Sequence, residues 1–333
     1  MPAYHPPFQL THRMTALVAD IAERLGAWKA ANRDTLVPAL RRGNRVRTLQ
    51  ASLAIEQNTL SVEQVTAVLA GKPVLGSPKE IQEVRNAFAA YEAKENRQPH
   101  CMADLLQAHG LLMAGLVGRA GQLRDGDVGI WRGGKLLHMA PPASQVPRLV
   151  KDLLDWLHHT DAHPLVASAA FHYDFEFIHP FSDGNGRMGR LWQTLILSRW
   201  QPILAWLPVE TVVRHRQQDY YAQLARADAA SDCGGFIEFM LEAIRDSLEE
   251  AIAVETQVET PVETPVEMRV EPRPRTPAQI LQVLRMQPQL TLAEVARAIG
   301  RAPSTVERAA ARLQEQGRLR HVGPKKGGRW EVL

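Results

Sequence analysis

A chain of 333 residues with 45% hydrophobic and 23% charged residues has the composition of a globular protein, with length for two domains or for one large domain and an appendage. Its two cysteines, Cys101 and Cys233, exclude a disulfide framework and a zinc finger; they read as inert and point to a reducing, cytoplasmic compartment. The net charge of +3 is uneven: residues 276–333 hold eight Arg and two Lys against four Glu, a surplus of +6 that leaves −3 for the rest and hints at nucleic acid.

Helical periodicity runs from Thr11 to Ala253. Met14, Leu17, Val18, Ile21 and Leu25 share one stripe, and Ile81, Val84, Phe88 and Tyr91 another. Residues 1–100 read as an N-terminal helical region and 101–253 as the core. Between Arg124 and Pro142 the pattern breaks. Val128–Trp131, Gly133-Gly134 and Lys135–His138 predict a short β-hairpin with a glycine turn. His158, His159 and His163 beside Asp161 are expected in a solvated loop between helices rather than on a metal. Thr194–Trp200 and Phe236–Ile252 are helical again. No stretch reaches the roughly 18 apolar residues of a membrane helix, and the first residues lack the apolar core of a signal peptide, so no membrane association is expected.

Residues 254–276 repeat Val-Glu-Thr with prolines and predict an extended, flexible linker. The order after it is helix (Pro277–Met286), helix (Leu292–Ile299, with Thr291 and Glu294 as a capping box), helix to Gln316, strand, a basic turn with Lys325 and Lys326, and strand. That is a winged helix-turn-helix over 277–333, an α+β module with DNA as the expected partner through Arg297, Arg301, Arg308 and Arg312.

The run His179-Pro-Phe-Ser-Asp183-Gly184-Asn185-Gly186-Arg187-Met-Gly-Arg190 concentrates the chemistry. An imidazole titrates near neutrality and can accept a proton from a hydroxyl. A carboxylate is a hard ligand suited to Mg²⁺. Glycines let backbone N–H groups turn onto an anion, and guanidinium forks match phosphate oxygens. The letters fit G-x-G-x-x-G, but a dinucleotide fold needs a preceding strand and a parallel sheet. A P-loop needs Lys-Ser/Thr where Arg190-Leu191 stands, and an EF-hand would put Phe181 and Trp192 at ligand positions. A bland Gly-Asn-Gly turn leaves the His, the Asp and both Arg unexplained.

His179-x-Phe-x-Asp183-Gly-Asn-Gly-Arg187-x-x-Arg190 resembles the signature of Fic domain proteins, H-x-F-x-[DE]-G-N-G-R-x-x-R. The resemblance implies an all-α Fic fold with a β-hairpin flap that aligns the target chain. It implies transfer of AMP from ATP to a hydroxyl of a target protein or of the protein itself. On that basis His179 is the general base and Asp183 the Mg²⁺ ligand. Gly184, Asn185 and Gly186 cradle phosphates, Arg187 meets the departing pyrophosphate, and Arg190 meets the γ-phosphate. Ser52-x-x-x-Glu56 is similar to the inhibitory motif [ST]-x-x-x-E-[GN], in a helix expected around 44–58, with Glu56 set to block Arg190; Gln57 departs from the last position and Asn58 follows. Tyr220 and Tyr221 lie where the family packs an aromatic near adenine. Three activities stay open: adenylyl transfer, removal of AMP by the same site, and DNA-dependent regulation with a sensory Fic domain. A homodimer is also left open.

Overall fold

The computed structural model describes residues 4–32, 38–132, 135–259, 276–299, 301–324 and 328–332. The expected Gly133-Gly134 turn, Lys325 and Lys326, and most of the expected linker lie outside them. The chain divides into two compact units, Met1–Thr260 and Pro261–Leu333.

The first unit is helical, with one hairpin. Its elements are α1 (His12–Asn32), α2 (Pro38–Ile55), α3 (Val62–Leu69), α4 (Pro78–Glu92), α5 (Met102–Leu112), β1 (Gly129–Arg132), β2 (Lys135–Met139), α6 (Val146–His159), α7 (Pro164–Ile178), α8 (Asn185–Trp200), α9 (Val209–His215), α10 (Gln217–Ala230) and α11 (Gly234–Glu259). Helix α7 is apolar around most of its circumference, so it occupies the centre. Leu165, Val166, Ala169, Ala170, Phe171 and Phe175 are each at most 1% exposed. Helix α8 packs against it, with Met188, Leu191, Trp192 and Leu195 buried in the same core. The apolar stripe of α1 lies on α11. Ser61 and Ser77 start α3 and α4 with capping boxes. Strands β1 and β2 pair antiparallel from Gly129 opposite Met139 to Arg132 opposite Lys135, with a bulge between Ile130 and Trp131.

Two local expectations are corrected. Helix α11 runs to Glu259, through the first residues assigned to the linker, because Glu and Val continue a helix until the prolines begin. His158 and His159 end α6 instead of lying in a loop, where basic side chains suit the negative helix terminus. His163 caps α7, its Nδ1 accepting the Leu165 N–H. Among the described residues no group of three or more His, Cys, Asp or Glu is placed to hold a metal ion, and no helix is long and apolar enough to cross a membrane.

The second unit contains α12 (Thr276–Met286), α13 (Leu292–Ala298), α14 (Pro303–Glu315), β3 (Leu319–Val322) and β4 (Arg329–Val332). Thr291 and Glu294 form the expected capping box. Ile280, Leu281, Leu284, Val295, Val306, Ala310 and Leu313 make a separate core. The two strands pair antiparallel as a wing, Leu319 opposite Val332.

Candidate active site

The site is built on the turn joining α7 to α8. Helix α7 ends because His179 adopts left-handed dihedrals, φ 49° and ψ 61°, uncommon for a residue with a Cβ. That bend lifts the imidazole off the helix axis. Phe181 then drops into the core and stacks flat on His109 of α5, with ring centroids 3.7 Å apart. Asn185 braces the turn reciprocally. Its Oδ1 accepts the Phe181 N–H and its Nδ2 donates to the Phe181 carbonyl, both at 2.9 Å. The Asn185 side chain therefore faces inward, and only its backbone is left for a phosphate.

Gly184 caps α8 at φ 83°, and a Cβ there would lie 2.6 Å from Met113 Sδ. Two requirements, conformation and space, thus select glycine. His109 fixes the same stretch. Its Nδ1 accepts the Gly121 N–H at 2.8 Å, which assigns the proton to Nε2, the atom 3.0 Å from the Asp183 carbonyl. Burial lowers the pKa of His109, in keeping with this neutral form.

The charged groups converge at the start of α8. Asp183 Oδ1 accepts the Gly184 N–H at 2.6 Å and an Arg187 N–H at 3.2 Å, and its side chain is 52% exposed. Arg187 also reaches Glu83 of α4 at 3.3 Å. Its Nε is buried with no hydrogen-bond partner. Arg190 is buried and donates from Nε to Ser52 Oγ, and from one Nη to the Ser52 carbonyl and to Glu56 Oε1 at 2.8 Å. Burial, the largest influence, would lower the Arg190 pKa; Glu56, Tyr220 and Glu176 together outweigh it and hold it raised. Gly186 leaves the room that Glu56 occupies, because a Cβ there would collide with Glu56 Oε1.

Glu56 reaches this place through the end of α2. The Gln57 N–H bonds to the Ala54 carbonyl and the Asn58 N–H to the Leu53 carbonyl, the pattern of a Schellman ending, with Gln57 left-handed at φ 69°. The Gly or Asn of the resembling motif is thereby explained: those residues tolerate this conformation best. Asn58 then donates to Glu83 at 2.8 Å, so the segment carrying Glu56 is tied to the carboxylate that holds Arg187.

Glu56, His179, Gly186, Arg190, Tyr220, Tyr221, Glu176 and Asp228 border one cavity of about 190 Å³. Tyr220 is buried and pinned by His172, whose Nε2 lies 3.0 Å from its hydroxyl; burial pushes His172 down to about 4, so it is neutral. Tyr221 is half-buried on the same wall. Asp183, with its side chain 52% exposed, fits a Mg²⁺ ion that takes most of its ligands from phosphate and water.

The structure thus brings together His179, Asp183, Gly184, Gly186, Arg187, Arg190, Ser52, Glu56 and Tyr221, all named from sequence. Three positioning residues were not. His109 stands four residues after Leu105 and three before Leu112, an imidazole on an apolar stripe. Glu83 lies beside Val84 on the buried side of α4. Both are signals of a polar group held in a core. Arg124, whose guanidinium donates to the His179 carbonyl at 2.8 Å, offered no such signal.

The Fic/DOC family profile matches residues 99–197, and the IclR helix-turn-helix profile matches residues 278–323. A solved Fic family protein from Desulfovibrio desulfuricans G20 is 48% identical, with TM-score 0.74, covering 99% of this chain and 98% of that one. Fic-1 from C. elegans, at 24% identity and TM-score 0.60 over 74% of this chain and 72% of its own, shares the fold. Protein adenylyltransferase fic-1 of Caenorhabditis briggsae is 32% identical over 204 residues. That alignment takes in 57% of this chain and 38% of the relative, so the chain spans about two fifths of that relative's length.

Proposed function

This chain belongs to the Fic family, and from that premise we propose that it is a protein adenylyltransferase, moving AMP from ATP to a Tyr, Ser or Thr hydroxyl of a target protein or of itself. The observation that carries the reading is one cavity bordered by His179, Gly186 and Arg190, with Glu56 clamped on Arg190. The inhibitory segment is assigned to 44–58 within the N-terminal region 1–100, the catalytic core to 101–253, and the DNA-contacting module to 277–333.

In this reading the His179 imidazole takes the proton of the target hydroxyl. The freed oxygen bonds to the α-phosphorus, the bond to the β-phosphate oxygen breaks, and pyrophosphate leaves. Asn185 and Gly186 present backbone N–H groups at the positive end of α8 to the phosphates. Arg187 and Arg190 receive the charge that grows on the leaving pyrophosphate. Asp183 would hold Mg²⁺, which would neutralise phosphate charge when bound. Glu56 occupies the fork that a γ-phosphate needs, so the resting state is inhibited.

A second reading rests on the same carboxylate. Glu56 is 34% exposed and borders the cavity of His179, a position from which it can orient water for removal of AMP from a modified protein. The helix-turn-helix match, with Arg297, Arg301, Arg308 and Arg312 exposed, supports DNA as a further partner and a regulatory use of the enzyme.

The test is labelling with [α-³²P]ATP and Mg²⁺. Glu56→Gly is expected to label itself or a partner about tenfold more than the parent, the factor that 1.4 kcal/mol represents. His179→Ala is expected to abolish the label. Equal labelling by His179→Ala would remove His179 from the role of base.

A further inference from the structure

Arg124 is 6% exposed and donates to main-chain carbonyls on two separate elements. Nη1 reaches Gly126 at 2.9 Å and one Nη2 proton reaches Pro141 at 2.5 Å; these carbonyls stand on the two legs of the hairpin. Nε reaches His179 at 2.8 Å, and Nη2 also reaches Ile178 at 3.3 Å; these stand at the end of α7. The Arg124 backbone N–H adds a bond to Pro180 at 2.9 Å. One planar cation therefore ties the stem of the flap to the peptide that carries the imidazole.

We propose that Arg124 is a positioning residue that fixes the spacing between the β1–β2 flap and His179. The inference rests on the adenylyl-transfer reading. A flap that aligns a target strand sets where the hydroxyl arrives, and the base must meet that proton within hydrogen-bond reach. Four carbonyls on two sides need donors in a rigid fork. Lysine keeps the charge and the aliphatic stem but has three donors on one point, so it cannot span both sides. The left-handed backbone of His179 also needs an external hold, and the Nε bond to its carbonyl provides one.

The test uses the full chain carrying Glu56→Gly, with Arg124→Lys, and with Arg124→Ala in the presence of ethylguanidinium. For Arg124→Lys the self-labelling kcat is expected to fall about 100-fold, the order produced by misplacement near 1 Å. ATP affinity, read by calorimetry with ATP and Mg²⁺, is expected to stay within about twofold, because Arg124 is not on the nucleotide cavity. Ethylguanidinium is expected to restore part of the rate to Arg124→Ala. Labelling at the parent rate by Arg124→Lys, or affinity falling in step with rate, would overturn the proposal. Amide exchange separates its failure from failure of the transfer reading. Should the Glu56→Gly parent not label at all, transfer is wrong. Faster exchange at both Ala140 and His179 in Arg124→Lys would still uphold the clamp, and unchanged exchange would sink it.

Discussion

Gln57 governs how firmly the closed arrangement holds. It sits at the left-handed position after α2, where its side chain costs about 1 kcal/mol relative to glycine. Gln57→Gly should therefore raise thermal stability by up to about 0.6 kcal/mol, net of the extra freedom that glycine gives the unfolded chain. Basal labelling should fall with it, since Glu56 would be held more tightly. A lower melting temperature for Gln57→Gly contradicts this reading of the turn. The residues that carry charge were legible because they are contiguous: positions 179–190 fall in one turn and the helix it starts. Glu83, 104 residues from Arg187, and His109, 74 from Asp183, were not, because only tertiary packing brings them there. Glu56 lies 134 residues from Arg190 and was legible only through its resemblance to an inhibitory motif.

Helix α7 is the element on which the site depends, and its far side carries a second ionisable group. Asp174 is 2% exposed, and its partner is the Tyr4 hydroxyl in the segment that precedes α1. The Cys233 N–H holds the same segment through the Pro7 carbonyl at 2.7 Å. Burial pushes Asp174 up to about 7 from the ordinary 3.8. Well below the unfolded value of 3.8 the carboxyl is protonated in both the folded and the unfolded chain, and no penalty arises. Between pH 4 and 7 the unfolded chain ionises first, so the contribution of Asp174 to stability declines by about 1.4 kcal/mol per pH unit. Asp174→Asn keeps an acceptor for Tyr4 and removes the charge. Its stability relative to the parent should rise across that window and level off above pH 7. A difference that is flat with pH would remove Asp174 as a buried titrating group. The helices themselves were legible from periodicity, since α1, α4 and α11 bury the stripes their sequences show. The end of α11 was not, because Glu-Thr-Gln-Val reads equally as repeat and as helix.

The two units carry different chemistry. In the second, α14 exposes Arg308 and Arg312 one turn apart, and Arg297 and Arg301 flank its approach. Duplex DNA binding by the full chain should weaken linearly in log–log form with salt, at about 0.9 per phosphate neutralised, and a chain ending at Glu259 should lose it. A flat salt response would assign this unit to protein contacts. The central claim concerns the first unit: His179 removes a hydroxyl proton while the turn after it grips the phosphates of ATP. Intact-mass spectrometry of the Glu56→Gly chain incubated with ATP and Mg²⁺ tests it most directly. The expected result is one added AMP that peptide mapping places on a Tyr, Ser or Thr and that is missing from the His179→Ala double variant. An unchanged mass, or addition of a single phosphate from the γ position, would contradict it.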